Sequence, residues 1–191
     1  MKRLVSVRTV PPATEVITAD QAKSDRLRRD GSDADGEIQL LVDAAISRLD
    51  GAQGILGRAL INQTWVDSMN GFPPGNQLRL VLAPAQSLET VTYFDADNVQ
   101  QTLAAESVSL HHDACGAFLR LAPSSAWPET YDRDDAVRVT YIAGYGEAAS
   151  DVPAEIRLAA LDAVFHWYNC PGDDLPVRVM ERVRKFIRPH F

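Results

Sequence analysis

The sequence predicts an α+β protein: a small helical bundle formed by N- and C-terminal helices, with an antiparallel β-module inserted between them. Three observations carry this reading. Apolar residues recur at helical spacing before residue 50 and again after residue 153. Between residues 59 and 142 the period changes to short β-prone runs split by Pro, Gly, Asn and Asp. The chain has 191 residues, 46% of them hydrophobic and 24% charged, which suits one generous globular domain. No apolar run approaches the ~20 residues of a membrane-spanning helix.

Residues 1–17 are mixed and Pro-containing and read as an extended arm with no core of its own. Arg8, Pro11 and Pro12 interrupt any signal-peptide pattern, so a cytoplasmic origin is expected. Thr18 followed by Gln21 has the form of a capping box and opens a short helix over about 19–29. Asp30 to Asp33 stop it. In the next helix Ile38, Leu41, Val42, Ala45 and Leu49 form one apolar stripe, Ser32 or Asp33 is the expected cap, and Gly51, Gly54 and Gly57 end it.

The β-module begins near Ala59, with Trp65 inside its first strand. Runs at 60–67, 78–82, 88–94, 99–103, 107–111, 117–121 and 137–141 read as strands, with turns at 95–98 and 113–116. Gly144-Tyr145-Gly146 closes the region, and Pro153 marks a helix over about 153–169. That helix is apolar on two sides. Ile156, Ala160, Ala163, Val164 and Trp167 make one, and Leu158, Leu161, Phe165 and Tyr168 the other, so it is buried or shared with a neighbouring subunit. A last helix, about 176–188, turns Val179, Met180, Val183 and Ile187 inward. The resulting segments are an arm (1–17), a bundle core (18–57 and 147–175), the β-module (58–146) and a basic C-terminal helix and tail (176–191).

Sites for chemistry are sparse. His111, His112, Asp113 and Cys115 hold metal-ligand types, but adjacent histidines on a strand point to opposite faces, and a polar loop is the better reading. His166 is expected to pack, with Asp162 as its hydrogen-bond partner. Cys115 and Cys170 lie too far apart in sequence for a CxxC site. Neither GxSxG, P-loop nor GxGxxG is present, and Asp132, Asp134 and Asp135 with Arg133 read as a solvated run. Trp65, Trp127 and Trp167 read as core or interface anchors. The expectation is a non-enzyme without metal or cofactor.

Charge is unevenly spread. The net charge is −7, yet residues 176–191 carry a net +4 through Arg178, Arg182, Arg184, Lys185 and Arg188 against Glu181, leaving −11 for the rest. Three readings of this basic end stand open: a solvated face, a docking segment for an acidic or grooved partner, or a nucleic-acid contact. Phe186, Ile187 and Phe191 beside Pro189 add an apolar plug that favours docking.

The segment from Gly57 to Trp65 (GRALINQTW), then Trp127-Pro128, then the run from Val137 to Gly146 (VRVTYIAGYG) before Val152-Pro153 and His166-Trp167-Tyr168, together resemble the head–tail connector (adaptor) proteins of long-tailed phages and phage-derived gene transfer agents. The resemblance covers about 18–169. It implies a structural role: a ring, twelvefold in assembled particles, beneath the portal, extending the DNA channel and receiving stopper or tail components. The C-terminal segment (Arg178, Arg182, Arg184, Lys185, Phe186, Ile187, Arg188, Phe191) would dock on the portal. Leu158, Leu161, Phe165, Trp167 and Tyr168 would pack subunits together. Translocating DNA would pass an acidic body without sequence-specific contact. The protein would reside at the head–tail junction of the particle. On this reading, removing 176–191 leaves the fold intact and abolishes tail joining. The alternative is a nucleic-acid-binding module using the same basic helix.

Overall fold

The structure, a computed structural model, describes residues 4–28 and 31–188. Asp30 and Phe191, singled out above, lie outside the described residues. The elements begin with β1 (Leu4–Val10), α1 (Ala19–Ala22, prolonged by a π turn over Lys23–Leu27) and α2 (Asp35–Leu49). Then come β2 (Gln63–Met69), β3 (Gln77–Arg79), β4 (Ala85–Phe94), β5 (Gln100–Thr102), β6 (Val108–Asp113), β7 (Gly116–Leu121) and β8 (Val137–Ala143). The chain closes with α3 (Ala154–Asn169) and α4 (Val177–Val183), the latter continued by a 3-10 turn over Arg184–Phe186. The mixture of helices and antiparallel sheets is α+β, as the periodicities predict. Two compact units result: the residues up to Pro11 with Asn62–Gly144, and Pro12–Ile61 with Tyr145 onward.

The first unit is all β. Five strands lie in the order β1-β2-β8-β4-β5 and three in the order β3-β7-β6, every pair antiparallel. Along β2, Gln63, Trp65, Asp67 and Met69 are buried while Thr64, Val66 and Ser68 are half-exposed. β8 alternates in the same way, as strands do when one face meets the core.

Residues 4–10 are not a free arm. They form edge strand β1, paired with β2 from Leu4↔Met69 to Val10↔Thr64. Val5, Val7 and Val10 remain exposed, so the strand carries little apolar burial for a sequence reading to detect. It is held by the main-chain ladder and by polar side chains: Ser6 Oγ donates to Asp67 Oδ1 (2.5 Å) and Arg8 Nη1 to Gln63 Oε1 (3.2 Å). Further on, Val16 and Ile17 are buried in the core of the second unit.

Asp67 has no exposed surface. Besides Ser6, its Oδ2 accepts from Val81 N (2.7 Å) and from the Tyr141 hydroxyl (3.0 Å), which itself accepts from Leu82 N (3.0 Å). Burial, and then the Asp67 charge, push Tyr141 well above the usual phenol range, so it stays a donor.

In the second unit, α2, α3 and α4 share one apolar core with Leu56, Leu60 and Ile61. The capping box forms: Thr18 Oγ1 accepts from Gln21 N and Gln21 Oε1 from Thr18 N, both at 3.1 Å. The cap expected for α2 does not. Ala34 occupies the N-cap without a side-chain bond, and Asp35 pairs with Lys23 at 2.5 Å instead.

Two predictions follow from the β unit. Tyr141→Phe leaves the Leu82 N–H without its acceptor and removes a donor from Asp67, which costs about 1–3 kcal/mol in urea denaturation. Asp135, hydrogen-bonded by Arg133 and Arg138, is held down from 3.8 to about 2. A folded value below the unfolded one means the stabilisation is complete above pH 3.8 and drains as pH falls toward 2. Melting curves of Asp135→Asn should therefore show a lower Tm at neutral pH and a shallower loss through that acid window.

Candidate interaction surface

The basic C-terminal segment is part of the helical unit rather than a tail projecting from it. Val179 and Val183 are wholly buried, and Phe186 and Ile187 pack against the same core. The loop after α2 fastens its end. Arg58 Nε donates to the Phe186 carbonyl (2.6 Å) and Arg188 N to the Leu56 carbonyl (3.0 Å). Arg58 also hydrogen-bonds the half-buried Tyr145, whose hydroxyl is pushed up by burial against the pull of that guanidinium. Removing 176–191 therefore takes out core side chains, and an intact fold is no longer expected of that truncation.

The basic residues divide into two groups. Arg182 Nη2 lies 3.1 Å from Asp162 Oδ2, on a carboxylate whose Oδ1 is shared with Arg26 (3.1 Å). Lys185 Nζ lies 2.8 Å from Glu155 Oε1. Both acids belong to α3, so Arg182 and Lys185 are matched inside their own unit. Arg178 and Arg184 are exposed and have no acidic partner among the described residues. Arg184 borders an open depression lined also by Glu155, Glu181, Arg182 and Lys185. Arg188 is half-buried.

The apolar excess of α3 is mostly consumed within the chain. Ile156, Ala159, Ala160, Ala163 and Val164 are buried, Leu161 is only 7% exposed, and Trp167 and Tyr168 pack on the core. Leu158 is half-exposed and Phe165 is 37% exposed. Of the five residues expected to pack subunits together, Leu161 thus belongs to its own core, and Phe165 presents the most open apolar surface. Periodicity missed this because it treats a helix alone, whereas α1, α2 and α4 all pack on α3 and Leu161 lies on the side facing Ile17, Gln21 and Asp25.

The histidine expectations resolve differently. His111 stacks on Phe118 (centroids 5.6 Å apart) with its Nε2 2.8 Å from Ser109 Oγ, whereas His112 Nε2 is 2.8 Å from the Ala85 carbonyl. Asp113 is held by Arg79 through two bonds and has its carboxyl lowered to about 2. His166 does not bond Asp162, which Arg26 and Arg182 occupy. It faces Asp173 at 3.3 Å. Trp127 stacks on Phe72 (4.7 Å) and donates to the Gly75 carbonyl, an anchor inside the β unit.

Arg58→Ala should free the C-terminal end without unfolding the domain. Limited trypsin digestion would then cut after Arg184 and Lys185 several-fold faster, and Tm would fall by the few degrees that one charge-assisted hydrogen bond supports. Unchanged cleavage would show that the loop does not restrain the segment.

No protein-family model matches the chain, and no curated protein matches it. Solved structures do share its fold. A chain from the neck of an empty gene transfer agent (GTA) particle, computed with C6 symmetry, superposes with a TM-score of 0.77 at 19% identity, over 99% of this chain and 97% of that one. A chain from the virion of the native GTA particle gives 0.77 at 19% identity, over 98% and 97%. A chain from the neck of the native particle, computed with C12 symmetry, gives 0.71 at 19% identity, over 99% and 97%. The likeness thus extends over nearly the whole of both chains.

Proposed function

We propose that the chain is a structural subunit of the head–tail junction of a gene transfer agent or long-tailed phage. It is an adaptor that forms a ring beneath the portal, extends the DNA channel and receives the stopper or tail components. The observation that carries this is the likeness to GTA neck chains over nearly the whole of both chains. Because so little of either chain is left over, the subunit nearly as a whole, rather than one grafted module, has a counterpart in a particle neck. The C12 symmetry of one of those structures supports a twelve-membered ring.

The surface chemistry supports the same reading. Phe165, with the half-exposed Leu158 two turns before it on the same face of α3, is the apolar surface that a neighbouring subunit would cover. Arg178 and Arg184 are the cations free to grip an acidic portal surface, with Arg182 and Lys185 beside them. The acidic remainder of the chain suits a channel through which phosphates pass without sticking. The nucleic-acid alternative gains nothing from this arrangement, since α3 carboxylates already neutralise Arg182 and Lys185. The role is mechanical rather than catalytic.

The test is a charge reversal that spares the core. Arg178→Glu with Arg184→Glu should leave Tm unchanged while filled heads accumulate without tails, tailed particles falling to a few per cent by electron microscopy. Tail joining at the normal frequency would remove these two residues from the docking face. A particle reconstruction lacking this chain at the head–tail junction would overturn the adaptor role itself.

A further inference from the structure

We infer that His166, Cys170 and Asp173 form a site for a borderline-soft divalent cation, Zn2+ foremost, at the C-terminal end of α3. One ligand atom from each residue (an imidazole nitrogen, the thiol sulfur, a carboxylate oxygen) lies within 4.8 Å of the other two. His166 Nε2 and Asp173 Oδ2 are already 3.3 Å apart. A tetrahedral zinc ion with sulfur at about 2.3 Å and nitrogen or oxygen at about 2.0–2.1 Å spaces its ligand atoms about 3.3–3.6 Å from each other. The His166–Asp173 pair already has that spacing, and Cys170 and Asp173 are exposed.

The backbone supplies the arrangement. His166 and Cys170 stand four residues apart at the end of α3, which places both on one face. Cys170 N donates to the His166 carbonyl (2.8 Å), closing the last helical turn. Cys170-Pro171-Gly172-Asp173 then reverses the chain. Proline at the second position and glycine at the third, with Gly172 at φ +90°, are the residues a type II turn requires. Asp173 N accordingly points to the Cys170 carbonyl at 3.4 Å. The turn carries the aspartate back over the helix end to meet the histidine and the cysteine.

The donor set selects the ion. Thiolate and imidazole favour zinc-like metals, whereas an all-oxygen set would favour Mg2+ or Ca2+. A thiolate, a carboxylate and a neutral imidazole together balance a 2+ charge. The negative end of the α3 dipole also favours a cation there. A plain His–Asp ion pair would account for the 3.3 Å contact but gives the neighbouring thiol no part. Cys170 and Asp173 are exposed, so a metal can enter and a water can complete the fourth position. Bound metal would clip the turn that leads from α3 into α4.

The experiment uses the full-length, untagged, reduced protein with Cys115→Ser, which leaves Cys170 as the sole thiol. Titration with Co2+ should give one equivalent of a tetrahedral complex with a thiolate-to-cobalt charge-transfer band. Zn2+ should displace it and Mg2+ should not. Cys170→Ser should abolish the band, and His166→Ala and Asp173→Asn should each weaken binding by about tenfold or more. Zn2+ should raise Tm in the Cys115→Ser protein and leave it unmoved when Cys170→Ser is added, so folding is checked in the same series. Saturating Co2+ without a charge-transfer band would overturn the site. So would a band whose midpoint is the same in the His166 and Asp173 variants, because a lone surface thiol would then explain it.

Discussion

One buried carboxylate organises the β unit. Asp67 is an acceptor-only group without solvent, and its desolvation is repaid only if donors converge on it from several directions. They do so from three separate stretches of chain: Ser6 on β1, Val81 just past β3, and Tyr141 on β8. Slipping any of these strands by one residue would turn the donor to the opposite face and strand the charge. The network thus acts as a register pin for β1, β2 and β8. An apolar residue at 67 would remove the carboxylate that accepts from the Ser6 hydroxyl, the Val81 amide and the buried Tyr141 phenol.

A second constraint governs the helical unit. The loop between α2 and β2 folds on itself: Gly51 N donates to the Arg58 carbonyl (2.7 Å) and Leu60 N to Asp50 Oδ1 (2.8 Å). Gly57 takes φ +59°, a conformation that suits a residue without a Cβ. The loop so shaped presents Arg58 and the Leu56 carbonyl to the last residues of the described chain. The segment Gly57-Arg58-Ala59-Leu60, read in sequence only as part of a family-like string, is the clasp that holds the C-terminal segment on the core. Any docking role for that segment is accordingly left to the outward face of α4.

Much of the fold was legible because its elements obey simple periods. The stripe from Ile38 to Leu49 buried as the helical spacing required, the alternation of 137–141 gave β8, and Thr18 with Gln21 formed its cap. The misses share one physical cause: they depend on distant partners. β1 is rich in β-branched residues, but Val5, Val7 and Val10 stay exposed, and its place is set by β2 and Asp67, which receive it. Leu161 is buried on the side of α3 that faces Ile17, Gln21 and Asp25, residues from far earlier in the chain. Ala34 stands at the N-cap of α2 without a side-chain bond, and Lys23 from the preceding helical segment reaches Asp35 in its first turn. His166 was assigned to Asp162 by helical spacing, but two arginines reach that carboxylate first, one from before α2 and one from α4, and the Pro171-Gly172 turn supplies Asp173 instead.

The charge pattern changes meaning once the partners are known. Arg182 and Lys185 of the C-terminal stretch meet carboxylates of α3, and the Arg26–Asp162–Arg182 triad makes part of the basic charge an internal packing device. Pairs this exposed add little stability each, but they orient α4 and lower the field that the segment projects. A phosphate-binding module needs many free cations, since its affinity and its salt dependence scale with the number of phosphates neutralised. Two unpaired guanidiniums, Arg178 and Arg184, make a poor polyanion binder. They are well suited to setting orientation at a protein interface, where a few charges fix register while apolar area such as that around Phe165 supplies the affinity.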